Sequence, residues 1–119
     1  MTGSTTASQL AAHQRRYRAL ARELADIGLI AAGTITHRHT RCGTPTCRCH
    51  ADPPEPHGPY YQWTTKVNGK TVTRRLNEAE AAHYQEWISN NRRLRSLVAS
   101  MRQEAAQAAE LILQDTRSD

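Results

Sequence analysis

The chain has 119 residues and a mass of 13.4 kDa; 38% of it is hydrophobic, 5% aromatic and none Phe, which leaves room for one small domain and excludes several separate cores. Its longest apolar run, Ile27 to Ala32, is far short of the roughly 20 residues of a bilayer span. The opening Met1-Thr2-Gly3-Ser4 has no basic and apolar leader pattern, so a cytoplasmic protein without membrane contact is expected. A net charge of +5 and a pI near 9.6, carried by fourteen Arg and only two Lys, point to an anionic partner met through planar, bidentate donors, with nucleic acid first among the candidates.

Residues 1–6 read as a disordered tail. From Ala7 to Ile27 the larger side chains Leu10, His13, Tyr17, Leu20, Leu24 and Ile27 recur in steps of three and four, the stripe of an amphipathic helix. Arg15, Arg16, Arg18, Arg22, Glu23 and Asp26 occupy its other face. Thr6 with Gln9 offers a capping box and Gly28 a stop, and the N-terminal helical segment is assigned to residues 7–32.

Residues 33–76 change vocabulary. Thr34 to Thr40 alternates like a short strand, and Asn68-Gly69 marks a type I′ turn between Tyr60–Val67 and Lys70–Leu76. A two-residue turn fixes the register: Val67 opposite Lys70, Thr65 opposite Val72, Trp63 opposite Arg74, Tyr61 opposite Leu76. One face then collects Tyr61, Trp63, Val67, Val72 and Leu76 and must lie against something, most simply the helices. The other collects Tyr60, Gln62, Thr64, Lys66, Thr71, Thr73 and Arg75. Arg74 opposite Trp63 suits a cross-strand cation–π contact.

In the last zone, residues 77–119, Asn77 and Glu80 form a capping box that opens a long helix running to about Gln114, with no Gly or Pro inside it. Its stripe Tyr84, Trp87, Asn91, Leu94, Val98, Met101, Ala105, Ala108 and Ile112 is longer than a small hairpin can cover. The N-terminal helix covers about half in this reading. A second copy of the chain covers the rest, with Tyr84, Trp87, Asn91, Leu94, Val98 and Met101 as the homodimer seam and Asn91 setting register. The fold class is therefore α+β: an N-terminal helix, a small two- or three-stranded antiparallel module and a long coiled-coil-like C-terminal helix.

Three Cys within eight residues cannot all pair with one another, and in a reducing compartment they point to metal ligation before disulfides. Cys42, Cys47 and Cys49 with His57 read as C-x4-C-x-C-x7-H, four donors suited to tetrahedral zinc, with Gly43 and Pro45 turning the chain back on itself. His57 lies beyond a Pro-rich loop long enough to reverse direction; His37 and His39 stay open as alternatives, and His50 is awkward beside Cys49. Plain thiols or a redox cluster are the competing readings. A catalytic zinc wants an open position and a nearby carboxylate base, whereas Asp52 and Glu55 sit in the Pro-rich loop, so no enzymatic activity is expected.

The run Cys42-Gly43-Thr44-Pro45-Thr46-Cys47-Arg48-Cys49, then His57-Gly58-Pro59-Tyr60-Tyr61 and the Asn68-Gly69-Lys70-Thr71 hairpin, resembles a family of short, uncharacterised bacterial proteins often associated with mobile elements. The likeness covers residues 33–76 closely and the last helix only in character. It implies that the cluster is a defined module, and it favours His57 over His50, since His57 belongs to the motif.

Residues 34–76 carry a net +5, while the flanking zones carry +2 and −2 and cancel. Arg38, Arg41, Arg48, Lys66, Lys70, Thr71, Thr73 and Arg75 are the expected nucleic-acid contacts, with DNA favoured over RNA because a two-stranded ribbon fits the major groove. The function expected is a small zinc-binding, dimeric nucleic-acid-binding protein. The alternative is a non-enzymatic protein–protein adaptor or assembly factor acting through the long C-terminal helix.

Overall fold

A computed structural model describes residues 2–117 and shows an α+β chain: α1 (Thr2–Ala25), β1 (Thr34–Thr40), a 3-10 turn (Arg48–His50), β2 (His57–Val67), β3 (Lys70–Leu76) and α2 (Glu78–Arg117). No helix among the described residues is long and apolar enough to cross a membrane. The chain forms two compact units, and α2 contributes to both: its part from Asn90 onward joins α1, while Leu29–Ser89 holds the sheet and the first turns of α2.

In the first unit α1 begins at Thr2 rather than Ala7, so Thr6 lies inside the helix and is no cap. The helix ends at Ala25, ahead of the expected boundary, because its last turn tightens: Asp26 N–H donates to Glu23 O and Ile27 N–H to Leu24 O, both at 3.2 Å. Gly28 is not the left-handed cap expected of it. Its lack of a side chain serves spacing instead, since a Cβ there would stand 3.3 Å from the Asn90 amide. Glu104 accepts from Arg16 Nε and contacts His13 Nδ1, each at 2.8 Å, and Arg93 reaches Glu23 at 3.3 Å. These partners rise along one helix as they fall along the other, so the two helices run antiparallel.

In the second unit the sheet order is β1-β2-β3, antiparallel throughout. The hairpin register is the one expected, from Val67 opposite Lys70 to Tyr61 opposite Leu76. Asn68 (φ 52°) and Gly69 (φ 79°) take the positive dihedrals a type I′ turn demands. β1 pairs with the other edge of β2, Ile35 facing Trp63 and Arg38 facing Tyr60.

The apolar face is covered at one end only. Leu76, Ala81 and Ile88 are buried, and Tyr84 packs tilted on Trp63 and edge-on to Trp87, with ring centroids 4.6 and 4.9 Å apart. The linker is pinned to the same cluster: Trp63 Nε1 donates to Ala32 O at 2.8 Å, and Ala31 N–H to Trp87 O at 3.1 Å. Val67 and Val72, expected under cover, are 51% and 40% exposed. The capping box that opens α2 forms in both directions: Glu80 N–H donates to Asn77 Oδ1 at 2.8 Å, and Asn77 N–H to Glu80 Oε1 at 3.0 Å. The helix runs three residues past the expected Gln114.

Candidate functional site

Thr40, the last residue of β1, pairs with His57, the first of β2, so the 41–56 excursion leaves and re-enters the sheet at adjacent positions. That closure brings Cys42 and His57 together across fifteen residues of sequence. Inside the excursion, Cys47 N–H donates to Thr44 O at 3.0 Å, closing a turn around Pro45, and the 3-10 turn follows directly. Arg48 O accepts from both Ala51 N–H (3.1 Å) and Glu55 N–H (3.0 Å), which folds the Pro-rich stretch back over the turn. Gly58 sits beside the register shift between Arg38 and Thr40 with φ +121°, where a Cβ would stand 2.9 Å from Arg38 O; only glycine fits.

The ligand atoms of Cys42, Cys47, Cys49 and His57 all lie within 4.8 Å of one another. Cys42 Sγ is 3.5 Å from Cys49 Sγ, and Cys47 Sγ is 3.2 Å from His57 Nε2. A tetrahedron built on bonds of about 2.3 Å to sulfur and 2.0 Å to nitrogen has edges of roughly 3.5–3.8 Å, so the donor set is close to ligand spacing. Cys49 is fully buried, the other three donors are half-buried, and Cys42 N–H donates to Cys49 Sγ at 3.3 Å. The four residues form a cluster able to hold a metal ion.

The remaining histidines stand elsewhere. His50 hydrogen-bonds through Nε2 to Cys42 O, bracing a ligand residue without joining the set. His37 stacks on Tyr61 at 4.8 Å and meets the His39 ring edge-on at 5.4 Å, both away from the thiols. The Cys42 thiol is pushed down to about 6, first by the Thr44 backbone contact and then by the His57, Cys49 and Cys47 side chains. Burial pushes the Cys49 thiol up. Cys42 thus gives up its proton more readily than Cys49, which would have to lose its proton to solvent in order to ligate a metal.

The sheet carries the second feature. None of the residues of β1, β2 and β3 is acidic, and Arg38, Lys66, Lys70, Arg74 and Arg75 are basic. Register places Arg38, Lys66, Thr71, Thr73 and Arg75 on one face with Thr34, Thr36, Tyr60, Gln62 and Thr64. Arg41 and Arg48 lie in the cysteine loop instead, and Lys70 and Arg74 take the opposite alternation. The cation–π contact is also displaced: Arg75 lies over Tyr60, its Cζ 4.2 Å from the ring centroid, while Trp63 is engaged by Tyr84. Arg38, Thr40, Tyr60, Gln62 and Arg75 line a cleft of about 200 Å³ on this face.

Of the residues expected at a dimer seam, Tyr84 packs on Trp63 of its own chain and Trp87 meets Tyr84 edge-on, while Asn91, Leu94, Val98 and Met101 are half-buried in the helical unit. Asp52 and Glu55 are exposed, with the Glu55 carboxylate 4.0 Å from Arg48.

An antiparallel sheet closed at one end by a Cys3His cluster, and set between two helices in sequence, is thus the class of module these observations define. The chain belongs to the family described as Domain of unknown function (DUF6788), whose model matches residues 10–86. That span takes in most of α1, the cluster, the whole sheet and the first turns of α2. No curated protein and no solved structure matches the chain.

Proposed function

We propose that the cluster holds a structural zinc ion and that the acid-free face of the sheet binds the backbone of nucleic acid, DNA in preference to RNA. The observation that carries this reading is one juxtaposition. A basic, hydroxyl-rich sheet face without a single carboxylate starts from the strand ends that Cys42 and His57 close. Three thiolates and an imidazole are the donor set of structural zinc. Such an ion contributes on the order of 10 kcal/mol or more to folding a small unit. Arginines and threonine hydroxyls on an extended surface are the usual donors to phosphate oxygens. In this reading the chain binds and does not catalyse.

The test is duplex binding by the zinc-loaded protein across a salt series. Affinity is expected to fall as a power of salt concentration, with a slope of about 0.9 per phosphate neutralised. Lys66→Ala with Arg75→Ala should flatten that slope. Binding indifferent to salt, or none, refutes the reading.

A second reading, an adaptor or homodimer joined through the helices, is favoured by one observation. Tyr17, Ile112 and Leu113 are 38%, 46% and 42% exposed, the first two beside a groove of about 360 Å³ floored by Ala105, Ala108 and Ala109. Two helices alone leave such side chains in water. Under this reading Ile112→Glu lowers the solution mass of the full-length protein to that of one chain.

A further inference from the structure

We propose that the cleft between Arg38 and Arg75 is the seat of one backbone phosphate of the bound nucleic acid, with Tyr60 as the residue that holds Arg75 in place. This deepens the nucleic-acid reading and rests on it. Arg38 leaves β1 directly opposite Tyr60, and Arg75 leaves β3 directly opposite Gln62, so two guanidinium groups flank the central strand from either side. Both line the same cleft, together with Thr40, Tyr60, Tyr61 and Gln62. Among the described residues neither arginine has a carboxylate partner. Two convergent cations without an anion are an incomplete arrangement, and a phosphate completes it by accepting from both forks.

Tyr60 has a defined part in this. A guanidinium lying flat on a ring keeps its N–H edge free, so the stack at 4.2 Å orients Arg75 without consuming its hydrogen bonds. The same contact covers one face of the Tyr60 ring, which makes the tyrosine a support for the arginine. The cleft is also tied to the metal cluster by short lengths of chain: Arg38 stands four residues before Cys42, and Tyr60 three after His57. Closing the cluster fixes the strand ends from which both side chains project.

The experiment follows the Arg38 and Arg75 side-chain Nε–H signals of the zinc-loaded, full-length protein by NMR during titration with inorganic phosphate. In parallel, duplex affinity is measured for wild type, Arg38→Ala, Arg75→Ala, Tyr60→Phe, Tyr60→Leu and the control Arg95→Ala. Phosphate should shift both arginine signals along one common saturation curve. Each arginine variant should weaken duplex binding roughly tenfold, the loss typical of one charged hydrogen bond, and lower the salt slope by about one. Tyr60→Phe should bind as wild type, Tyr60→Leu should behave like Arg75→Ala, and Arg95→Ala should change little. If the duplex binds but the Arg38 and Arg75 variants bind it equally well, the cleft is not the phosphate seat and the wider reading survives. If phosphate moves both signals together and no duplex binds, the anion cleft stands and the polymer reading falls. If neither ligand binds, both are overturned.

Discussion

Glu104 shows how one charged residue holds two helices in a unit with few buried apolar groups. Its carboxylate takes a hydrogen bond from Arg16 and meets His13, and these contacts, the His13 bond first and the Arg16 bond next, hold its pKa below the ordinary carboxylate value. A carboxyl whose folded pKa is depressed stabilises the protein fully above its unfolded value of 4.5, and that stabilisation disappears as pH falls through the lower folded value. The melting temperature of the helical unit is therefore expected to drop on acidification below about pH 4.5. Glu104→Gln should lower it at pH 7 and make that acid limb shallower, as read by circular dichroism melts at a series of pH values. An unchanged acid limb in the variant would assign the effect to other carboxylates.

At the scale of elements, the start of α2 and the turn of the hairpin are places where local chemistry and final structure agree. Asn77 and Glu80 satisfy each other's backbone donors, so the helix starts where its first polar residues can close the box. Asn77→Ala is expected to cost about 1 kcal/mol in urea unfolding, while Asn77→Ser should retain most of that. The hairpin was legible for the same reason: two positive dihedrals confined to Asn68 and Gly69 fix every cross-strand pair between Val67 and Leu76. The cation–π contact was less so. Register put Arg74 opposite Trp63, but Trp63 is taken up by Tyr84 and by the Ala32 carbonyl, while Arg75 on the other face reaches diagonally to Tyr60. Alternation had already placed Tyr60 and Arg75 on one face; what it could not weigh was competition for the indole from a helix distant in sequence.

For the whole molecule, the two tryptophans provide a selective probe, because Trp63 and Trp87 both belong to the unit that contains the cysteine cluster. The covered part of that unit is small, with Leu76, Ala81 and Ile88 as its buried aliphatic side chains and Cys49 as its fully buried thiol. Removing a structural metal from so small a core is expected to unfold it. Chelation should abolish the near-ultraviolet circular dichroism of the tryptophans, and zinc should restore it. Cys49→Ser should show the chelated spectrum whether or not zinc is added. A spectrum that survives chelation in protein shown to be metal-free would mean that the aromatic stack, not an ion, holds the unit together.

Periodicity, turn chemistry and donor spacing were enough to determine the α+β class, the hairpin register, the capping box and the three cysteines of the cluster, with His57 preferred as fourth donor while His37 and His39 stayed open. The first three are set by residues near one another in sequence, whereas the meeting of His57 with the cysteines waits on the pairing of β1 with β2. Tertiary structure decided the rest. It added β1 to the far edge of β2, and that pairing alone closes the cysteine loop at Thr40 and His57 and sets Arg38 beside Tyr60. It also divided the α2 stripe between the aromatic cluster of the sheet and the antiparallel α1, where the sequence alone assigns about half to the N-terminal helix and the rest to a second copy of the chain. Which surface covers which depends on packing between segments as much as 91 residues apart, and local chemistry does not encode that choice.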